Sequence, residues 1–189
     1  MQMALSSDAL DVAIICSSKA QEFKRKDSRF FVFDKAITNS SIIIQKDERN
    51  KSIGVSSGRQ YEKDMVSQLL GKEYAPFAME TRALTYVMET GKVGGIVIDY
   101  FNSLNVPGKR IFPKKAEEFD TYSIIVNKKF YSGPEYQKFK QSYNNIISYL
   151  LEDYNMLKVS EKLFGGDYTD ERRVREWQKL NIKIHPLKK

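Results

Sequence analysis

The sequence of 189 residues has one cysteine, Cys16, and one histidine, His185. A single cysteine excludes an intrachain disulfide, so the fold does not depend on an oxidising compartment. A single histidine near the end of the chain argues against a histidine-rich metal site and weakens any catalytic triad. We expect neither a metal nor another cofactor.

Long apolar runs are also absent, since no stretch approaches the ~20 residues that a membrane-spanning helix needs. The N-terminus lacks a basic and apolar leader. A cytoplasmic protein is therefore expected as the chain stands, and an extracytoplasmic one if a leader or tether was removed.

The formal charge is +7, but the 31 basic residues are interspersed with 24 acidic ones. No dense block of lysine and arginine exists, so we expect no nucleic-acid partner, and acidic ligands are only weakly favoured. Apolar residues make up 41% of the chain and charged residues 29%, a composition typical of a globular protein.

The centre of the chain alternates between strand and helix patterns. Short apolar strands are predicted at Ile53–Val55, Tyr74–Met79 and Val93–Ile98, and apolar residues at helical spacing lie between them. Gly91 is placed where the second helix needs a left-handed residue to end it. Strands that alternate with helices predict a parallel sheet with both faces covered.

Ligands of such sheets bind beyond the carboxyl ends of the strands. At those ends the candidate ligand-binding residues are Ser56, Ser57, Gly58, Arg59, Thr81, Arg82, Asp99 and Tyr100. An earlier apolar run, Val12–Cys16, fits a buried central strand. Ser17 and Ser18 follow it and form either an ordinary turn or a ligand-binding loop. No catalytic residue and no metal ligand is assigned.

Each candidate also has a structural interpretation. A helix is predicted directly after Ser56, Ser57 and Gly58. Its free N–H groups and positive dipole end would hold an anion. Alternatively, Ser56 or Ser57 only caps this helix. Arg82 could pair with a ligand carboxylate or be solvated. Asp99 could accept from a ligand ammonium or cap the next turn, and Tyr100 could form an aromatic wall or belong to the core.

The rest of the chain gives further elements. One or two helical turns are allowed within 3–10, and the charged segment 21–28 is expected to be exposed. Further strands are predicted at Phe30–Phe33, Ile42–Ile44, Arg110–Phe112 and Thr121–Val126. A long helix should begin at Pro134, another should cover Met156–Phe164, and Thr169 or Asp170 should cap the last.

These segments together resemble the type II periplasmic binding protein superfamily, which comprises the two-lobed solute receptors of ABC transporters and their relatives. The resemblance covers roughly Ala4 to Leu151. The stretches that carry it are ALSSDALDVAIIC, SIIIQKDE, SIGVSSGRQYEKDMVSQLL, ALTYVMETGKVGGIVIDYF and TYSIIVNKKFYSGPEYQKFKQSYNNIISYLL.

The resemblance implies an α/β fold with a mostly parallel sheet and flanking helices. The chain begins inside the last helix before the family's third strand, so one lobe should be nearly complete and the other partial. Residues 1–44 and 120–189 would form the partial lobe 1 with the C-terminal helices, and residues 45–119 would form lobe 2.

By the same resemblance, the expected function is non-catalytic binding of a small anionic or zwitterionic ligand between the lobes, with an ABC transporter permease as a partner. Two alternatives stay open. One is a ligand-sensing effector domain similar to those of LysR-type regulators, in which an incomplete lobe predicts a homo-oligomer. The other is a small-molecule biosynthetic enzyme on the same fold, with Asp99 as its only candidate base.

Overall fold

The computed structural model describes residues 5–7, 9–152, 154–166 and 168–188. Within these ranges the strands are β1 (Val12–Cys16), β2 (Phe30–Thr38), β3 (Ser41–Gln45), β4 (Ser52–Ser56), β5 (Ala75–Met79), β6 (Gly95–Asp99), β7 (Lys109–Ile111), β8 (Asp120–Asn127) and β9 (Lys183–Ile184). The helices are α1 (Ser17–Lys26), α2 (Gln60–Leu70), α3 (Leu84–Glu89), α4 (Tyr100–Ser103), α5 (Lys128–Tyr131), α6 (Pro134–Leu151), α7 (Asn155–Phe164) and α8 (Glu171–Leu180). None of the helices in the described ranges is long and apolar enough to cross a membrane.

A five-stranded sheet occupies the middle of the chain in the order β5-β4-β6-β3-β7. Strands β5, β4 and β6 are parallel, as the alternation of strands and helices predicted. Strand β3 is antiparallel to both β6 and β7. The carboxyl ends of β4, β5 and β6 therefore lie at the same end of the sheet.

The inner strands β3, β4 and β6 of this sheet are covered on both faces, which explains why they are apolar without alternation, whereas the edge strand β5 is mostly exposed. Ile43 packs on one face with Met65 and Val66 of α2. Its neighbours Ile42 and Ile44 pack on the other face with the helices α3 and α8. Gly91 has a φ of 75°, as predicted for the residue that ends the α3 turn.

A four-stranded antiparallel sheet has the order β1-β8-β2-β9. The prediction that Val12–Cys16 is a central strand is wrong, because β1 lies at an edge. An apolar run shows that both faces of a strand are covered, but it does not show how many strands flank it. Here Ala13 and Ile15 are buried against Ala20 and Phe23 of α1.

The two sheets correspond to each other in part. In the four-stranded sheet the antiparallel series β1-β8-β2 has the same directions as β6-β3-β7 in the five-stranded sheet. Beyond β6 the larger sheet continues with the parallel strands β4 and β5. Within the described ranges, no strand pairs with β1 on the corresponding side.

Helix α1 differs from the sequence-based expectation. Ser17 and Ser18 begin a helix rather than a turn, and the charged segment 21–28 contributes most of that helix. Only Ala20 and Phe23 are buried on it, so its apolar stripe is too short to show periodicity. The residues 1–4 and 8 of the expected N-terminal turns lie outside the described part, which has helix at Leu5 and Ser6.

The C-terminal helices agree with the prediction. Helix α6 begins at Pro134, and α7 ends at Phe164. Of the two proposed caps for α8, Asp170 is the one whose side chain accepts a hydrogen bond from the Arg173 N–H, at 2.9 Å.

Two crossings connect the sheets, one between β2 and β3 and the other between β7 and β8. Asn39, at a φ of 59°, joins them: its N–H donates to the Phe119 carbonyl, and its Oδ1 accepts from the Phe119 N–H. Strand β3, from Ser41 onwards, belongs to the five-stranded sheet. The division into lobes at residues 44/45 and 119/120 stays a prediction.

Candidate functional site

The strand ends of the two sheets meet at one place. Strand β1 ends at Cys16, which is paired with Tyr122 near the start of β8, and this end faces the carboxyl ends of the larger sheet. The Tyr122 hydroxyl donates to Asp99 Oδ2 at 3.2 Å. The Gln60 N–H donates to Ser18 Oγ at 3.3 Å. We call this region the strand-end cleft and define it by residues 17–19, 56–60 and 99; its two sides are in direct contact through these hydrogen bonds.

Two helices begin at the cleft, one from each sheet. Helix α1 begins at Ser17 and has 10 residues, and α2 begins at Gln60 and has 11. Neither helix has a side-chain hydrogen bond from its N-cap residue. The positive dipole ends of both helices therefore lie at the cleft, although the first N–H of α2, that of Gln60, already has Ser18 Oγ as its acceptor.

Lys19 adds an exposed positive charge at the same place. A Cβ built on Gly58, which has a φ of 79°, would lie 3.8 Å from Lys19 Nζ. The same ammonium group is 2.8 Å from Glu22 Oε2, and its side chain is 49% exposed. Because an exposed ion pair is weak, Lys19 can exchange Glu22 for a ligand at little cost.

Arg59 is held by a buried partner. Its Nη1 donates to Glu62 Oε1 at 3.0 Å, and the side chain of Glu62 is only 1% exposed. Glu62 Oε2 also accepts the Ser56 N–H at 2.6 Å. Glu62 thus neutralises Arg59 and fixes the end of β4. Ser56 Oγ is buried and has no hydrogen-bond partner among the described residues.

Burial raises the pKa of Glu62, although the Ser56 N–H and Arg59 oppose the shift. Sequence reasoning missed this residue, but a signal exists. Glu62 stands three and four positions before Met65 and Val66, so it lies on the apolar stripe of α2 rather than on its solvent face.

Asp99 forms the other polar centre of the cleft. Its Oδ1 accepts from the Phe101 N–H at 3.3 Å, so it caps α4. Its Oδ2 accepts from Ser40 Oγ and from the Tyr122 hydroxyl, both at 3.2 Å. Asp99 therefore connects the larger sheet, the first crossing and the smaller sheet.

The pKa of Asp99 is raised by burial, against the opposing effect of the hydrogen bonds from Ser40, Phe101 and Tyr122. Burial, together with the charge of Asp99, also raises the pKa of Tyr122 to about 12. Tyr122 is consequently a hydrogen-bond donor at neutral pH. Sequence reasoning assigned no contact to Tyr122, because nothing in the sequence shows which end of β8 faces the cleft.

The raised pKa of Asp99 predicts a pH-dependent contribution to stability. The folded state binds the proton of the Asp99 carboxyl group more tightly than the unfolded chain does. The stabilisation that this tighter binding gives is therefore fully present below the ordinary pKa of 3.8, and it is lost as the pH rises through the pKa of the folded state. We expect the free energy of unfolding of the wild type, minus that of Asp99→Asn, to fall as the pH rises from about 4. Urea unfolding at stepped pH values measures this difference, and a rise with pH would contradict the assignment.

The remaining candidates lie at the rim. The Ser57 N–H donates to the Met79 carbonyl at 2.8 Å and so joins the ends of β4 and β5. Ser57 itself is exposed. Thr81 and Arg82 are exposed in a short 3-10 turn that follows β5. They lie at the same end of the sheet as the cleft, and their role in ligand binding stays a prediction.

Tyr100 lies away from the cleft. It is 1% exposed and its ring centroid is 6.0 Å from that of Trp177 on α8. Its hydroxyl donates to Glu176 Oε2 at 3.4 Å. Asp99 and Tyr100 are neighbours in sequence but point into different layers, so Tyr100 is left out of the site that we propose below.

Two other features lie apart from the cleft. His185 Nε2 is 3.2 Å from Thr38 Oγ1, beside β9. A cavity of about 780 Å³ opens at the opposite end of the four-stranded sheet, lined by Asp11, Asn127 and Lys129 among others. We place the candidate site at the cleft because both sheets contribute to it, whereas residues of only one sheet and its flanking segments line this cavity.

Similarity to known proteins is structural. No protein-family profile matches the chain, and no curated protein sequence matches it. The ligand-binding component of an ABC-type import system from Staphylococcus aureus, solved with zinc bound, superposes with a TM-score of 0.67 at 12% identity, over 97% of this chain and 70% of that one.

Two further structures agree. The alkanesulfonate-binding protein SsuA from Xanthomonas axonopodis pv. citri, bound to MOPS, gives a TM-score of 0.65 at 12% identity, over 99% of this chain and 72% of that one. A Candida albicans gene product described as having the generic periplasmic binding protein fold gives 0.60 at 15% identity, over 96% and 67%.

At these identities the similarity establishes the fold. The ligands and partners named for the solved proteins are properties of those proteins. The chain has a mixed α/β architecture with two sheets, and it superposes on these structures over nearly its whole length. The chain has the periplasmic-binding-protein-like fold.

Proposed function

We propose that the chain is a solute-binding domain that holds a small zwitterionic or singly anionic ligand in the strand-end cleft. The proposal is one of binding without catalysis. The two sheets would close over the ligand by bending at the two crossings that Asn39 joins.

The observation that carries the proposal is the meeting of two helix N-termini from different sheets. Helices α1 and α2 approach each other so closely that the Gln60 N–H donates to Ser18 Oγ. An acid group between them would receive N–H donors from both sides. Ser56 Oγ at the end of β4 is a further polar group, which is buried and has no hydrogen-bond partner within the described part of the chain.

Asp99 supports a ligand that also carries a positive charge. Its carboxylate is buried beside Ser40 and Tyr122, and burial disfavours its ionised form. The charge of Arg59 offsets that cost only in part, and a ligand ammonium group would offset it further. The cleft therefore offers a positive region at Ser17–Lys19 and a negative one at Asp99, a pattern that suits a zwitterion.

Arg59 limits the charge of the acid group. Because the buried Glu62 is paired with it at 3.0 Å, its charge is already compensated. Lys19 is the cation with an exchangeable partner at the cleft, and one such charge favours a single negative charge on the ligand. Sulfonates and α-carboxylates meet this requirement better than phosphate dianions.

The structural neighbours support the same class without fixing it. One is described as bound to MOPS, a sulfonate that also carries an amine, and another as part of an ABC-type import system. By analogy, the partner of this chain would be an ABC permease. A location on the outer side of the cytoplasmic membrane belongs to the same proposal.

Isothermal titration calorimetry with amino acids, alkanesulfonates, MOPS, phosphate and short carboxylic acids tests the proposal. We expect heat from an amino acid or a sulfonate, and none from phosphate. Lys19→Gln should weaken that binding about 10-fold, because a charge-assisted hydrogen bond is lost.

Lys26→Gln is the matched control. Lys26 bonds the same carboxylate, Glu22, at 2.7 Å, but it lies at the other end of α1. The Lys26→Gln variant should bind the ligand as tightly as the wild type does. No heat from any compound, or equal losses in both variants, would contradict the proposed site.

A further inference from the structure

We infer that the edge of β1 that no other described strand pairs with is a self-association surface, at which a second copy of this chain pairs its own β1 in the antiparallel direction. The inference is independent of ligand binding. It starts from a comparison of the four sheet edges, which are β5 and β7 in one sheet and β1 and β9 in the other.

Three of these edges carry features that discourage pairing with another chain. Strand β5 contains Pro76, which cannot donate to a ladder. Strand β7 has three residues and carries Lys109 and Arg110. Strand β9 has two residues, one of which is Lys183. Short, charged or proline-containing edges are the usual protection against edge-to-edge association.

Strand β1 has none of these features. It is five residues long, reads VAIIC, and contains no charge, proline or glycine. Ile14 at its centre is 40% exposed, although its neighbours Ala13 and Ile15 are buried. Strand β6 holds the same position in the series β6-β3-β7 as β1 does in β1-β8-β2. The outer side of β6 pairs with the parallel strand β4, so a strand in this position can accept a further strand.

The charges beside β1 favour a second copy in the antiparallel direction. Asp11 precedes the strand, and Lys19 follows it in α1. The first turn of α1 has no acidic residue, and Lys19 forms an exposed ion pair with Glu22 in the next turn. With Ile14 facing Ile14 across a two-fold axis, Asp11 of one copy lies opposite Ser17 of the other, at the positive end of α1 and near Lys19. A parallel arrangement would instead place the two Asp11 carboxylates together.

Two copies related in this way would form an isologous interface, in which the same surface serves both chains. Val12 would face Cys16, and the two exposed Ile14 side chains would cover each other at the centre. All the paired side chains are apolar, and directly opposed pairs of this kind stabilise antiparallel ladders.

Analytical ultracentrifugation of the full chain over a range of concentrations tests the inference. The wild type should sediment as a dimer of the 21.9 kDa chain. Ile14→Lys should raise the dissociation constant by about 100-fold or more, because it opposes two ammonium groups at the axis. Phe77→Lys is the control, since Phe77 is 58% exposed on the edge strand β5 and should leave the dimer intact.

Cross-linking gives a second measurement that does not depend on weakening the protein. In a Cys16→Ser background, Ile14→Cys should form a disulfide-linked dimer under mild oxidation, because the two cysteines would face each other across the axis. Phe77→Cys in the same background should stay monomeric on a reducing-agent-free gel. A wild type that is monomeric at all concentrations, or equal cross-linking at both positions, would overturn the inference.

Discussion

Glu62→Ala is expected to lower the free energy of unfolding by about 3 kcal/mol or more, which is the usual result of removing one partner from a buried ion pair. Glu62 is 1% exposed and accepts from Arg59 Nη1 and from the Ser56 N–H. Its loss leaves a largely buried guanidinium without a counter-charge and a buried N–H without an acceptor. Urea unfolding followed by circular dichroism measures the change.

Two further variants separate charge from hydrogen bonding. Glu62→Gln keeps an acceptor for the Ser56 N–H but removes the charge, so its destabilisation should be smaller than that of Glu62→Ala. Glu22→Ala removes the carboxylate of an exposed pair and should leave the urea midpoint unchanged. If Glu62→Ala and Glu22→Ala gave the same midpoint, the buried network would not be what fixes the end of β4.

Gly94→Ala is expected to destabilise the fold by about 3 kcal/mol, the upper range for forcing extra atoms into a packed site. A Cβ at this position would collide with the backbone carbonyl oxygens of Asn50 and Asp47. The Gly94 N–H and carbonyl also bond Ser52, Lys46 and Asp47, so the residue holds the starts of β4 and β6 together. The collision involves backbone atoms, which cannot move aside as a flexible side chain does.

Gly91→Ala is the matched control in the same turn. No atom of the described residues lies within 4 Å of a Cβ at Gly91, so its φ of 75° is what opposes the substitution. The cost should be about 1 kcal/mol, the penalty of a left-handed backbone for an alanine. Thermal unfolding of both variants distinguishes the two effects, and equal melting temperatures would contradict the close approach at Gly94.

Much of the larger sheet could be predicted from sequence because its strands are separated by helices with clear apolar stripes. A crossover through a helix makes neighbouring strands parallel, which placed Ser56 and Asp99 at the same edge. The same reasoning could not place β1 within its sheet, because its one pairing partner among the described strands, β8, lies far along the chain and is antiparallel to it.

The candidate site was predictable only in part, for physical reasons that particular residues show. Asp99 and Tyr100 are adjacent, yet one faces the cleft and the other faces α8, and no sequence pattern indicates the direction at a strand end. Ser40 and Tyr122 reach Asp99 across the two crossings, over separations of 59 and 23 residues. Such contacts depend on how the sheets pack rather than on local sequence.

Amide chemical shifts from ¹H–¹⁵N NMR test the strand-end cleft most directly, with the ligand that gives the largest calorimetric heat. We expect the largest shifts at the N–H groups of Lys19, Gly58, Gln60 and Phe101, which come from both sheets. The largest shifts at Lys128 and Lys129, beside the cavity at the far end of the smaller sheet, would contradict the cleft as the binding site.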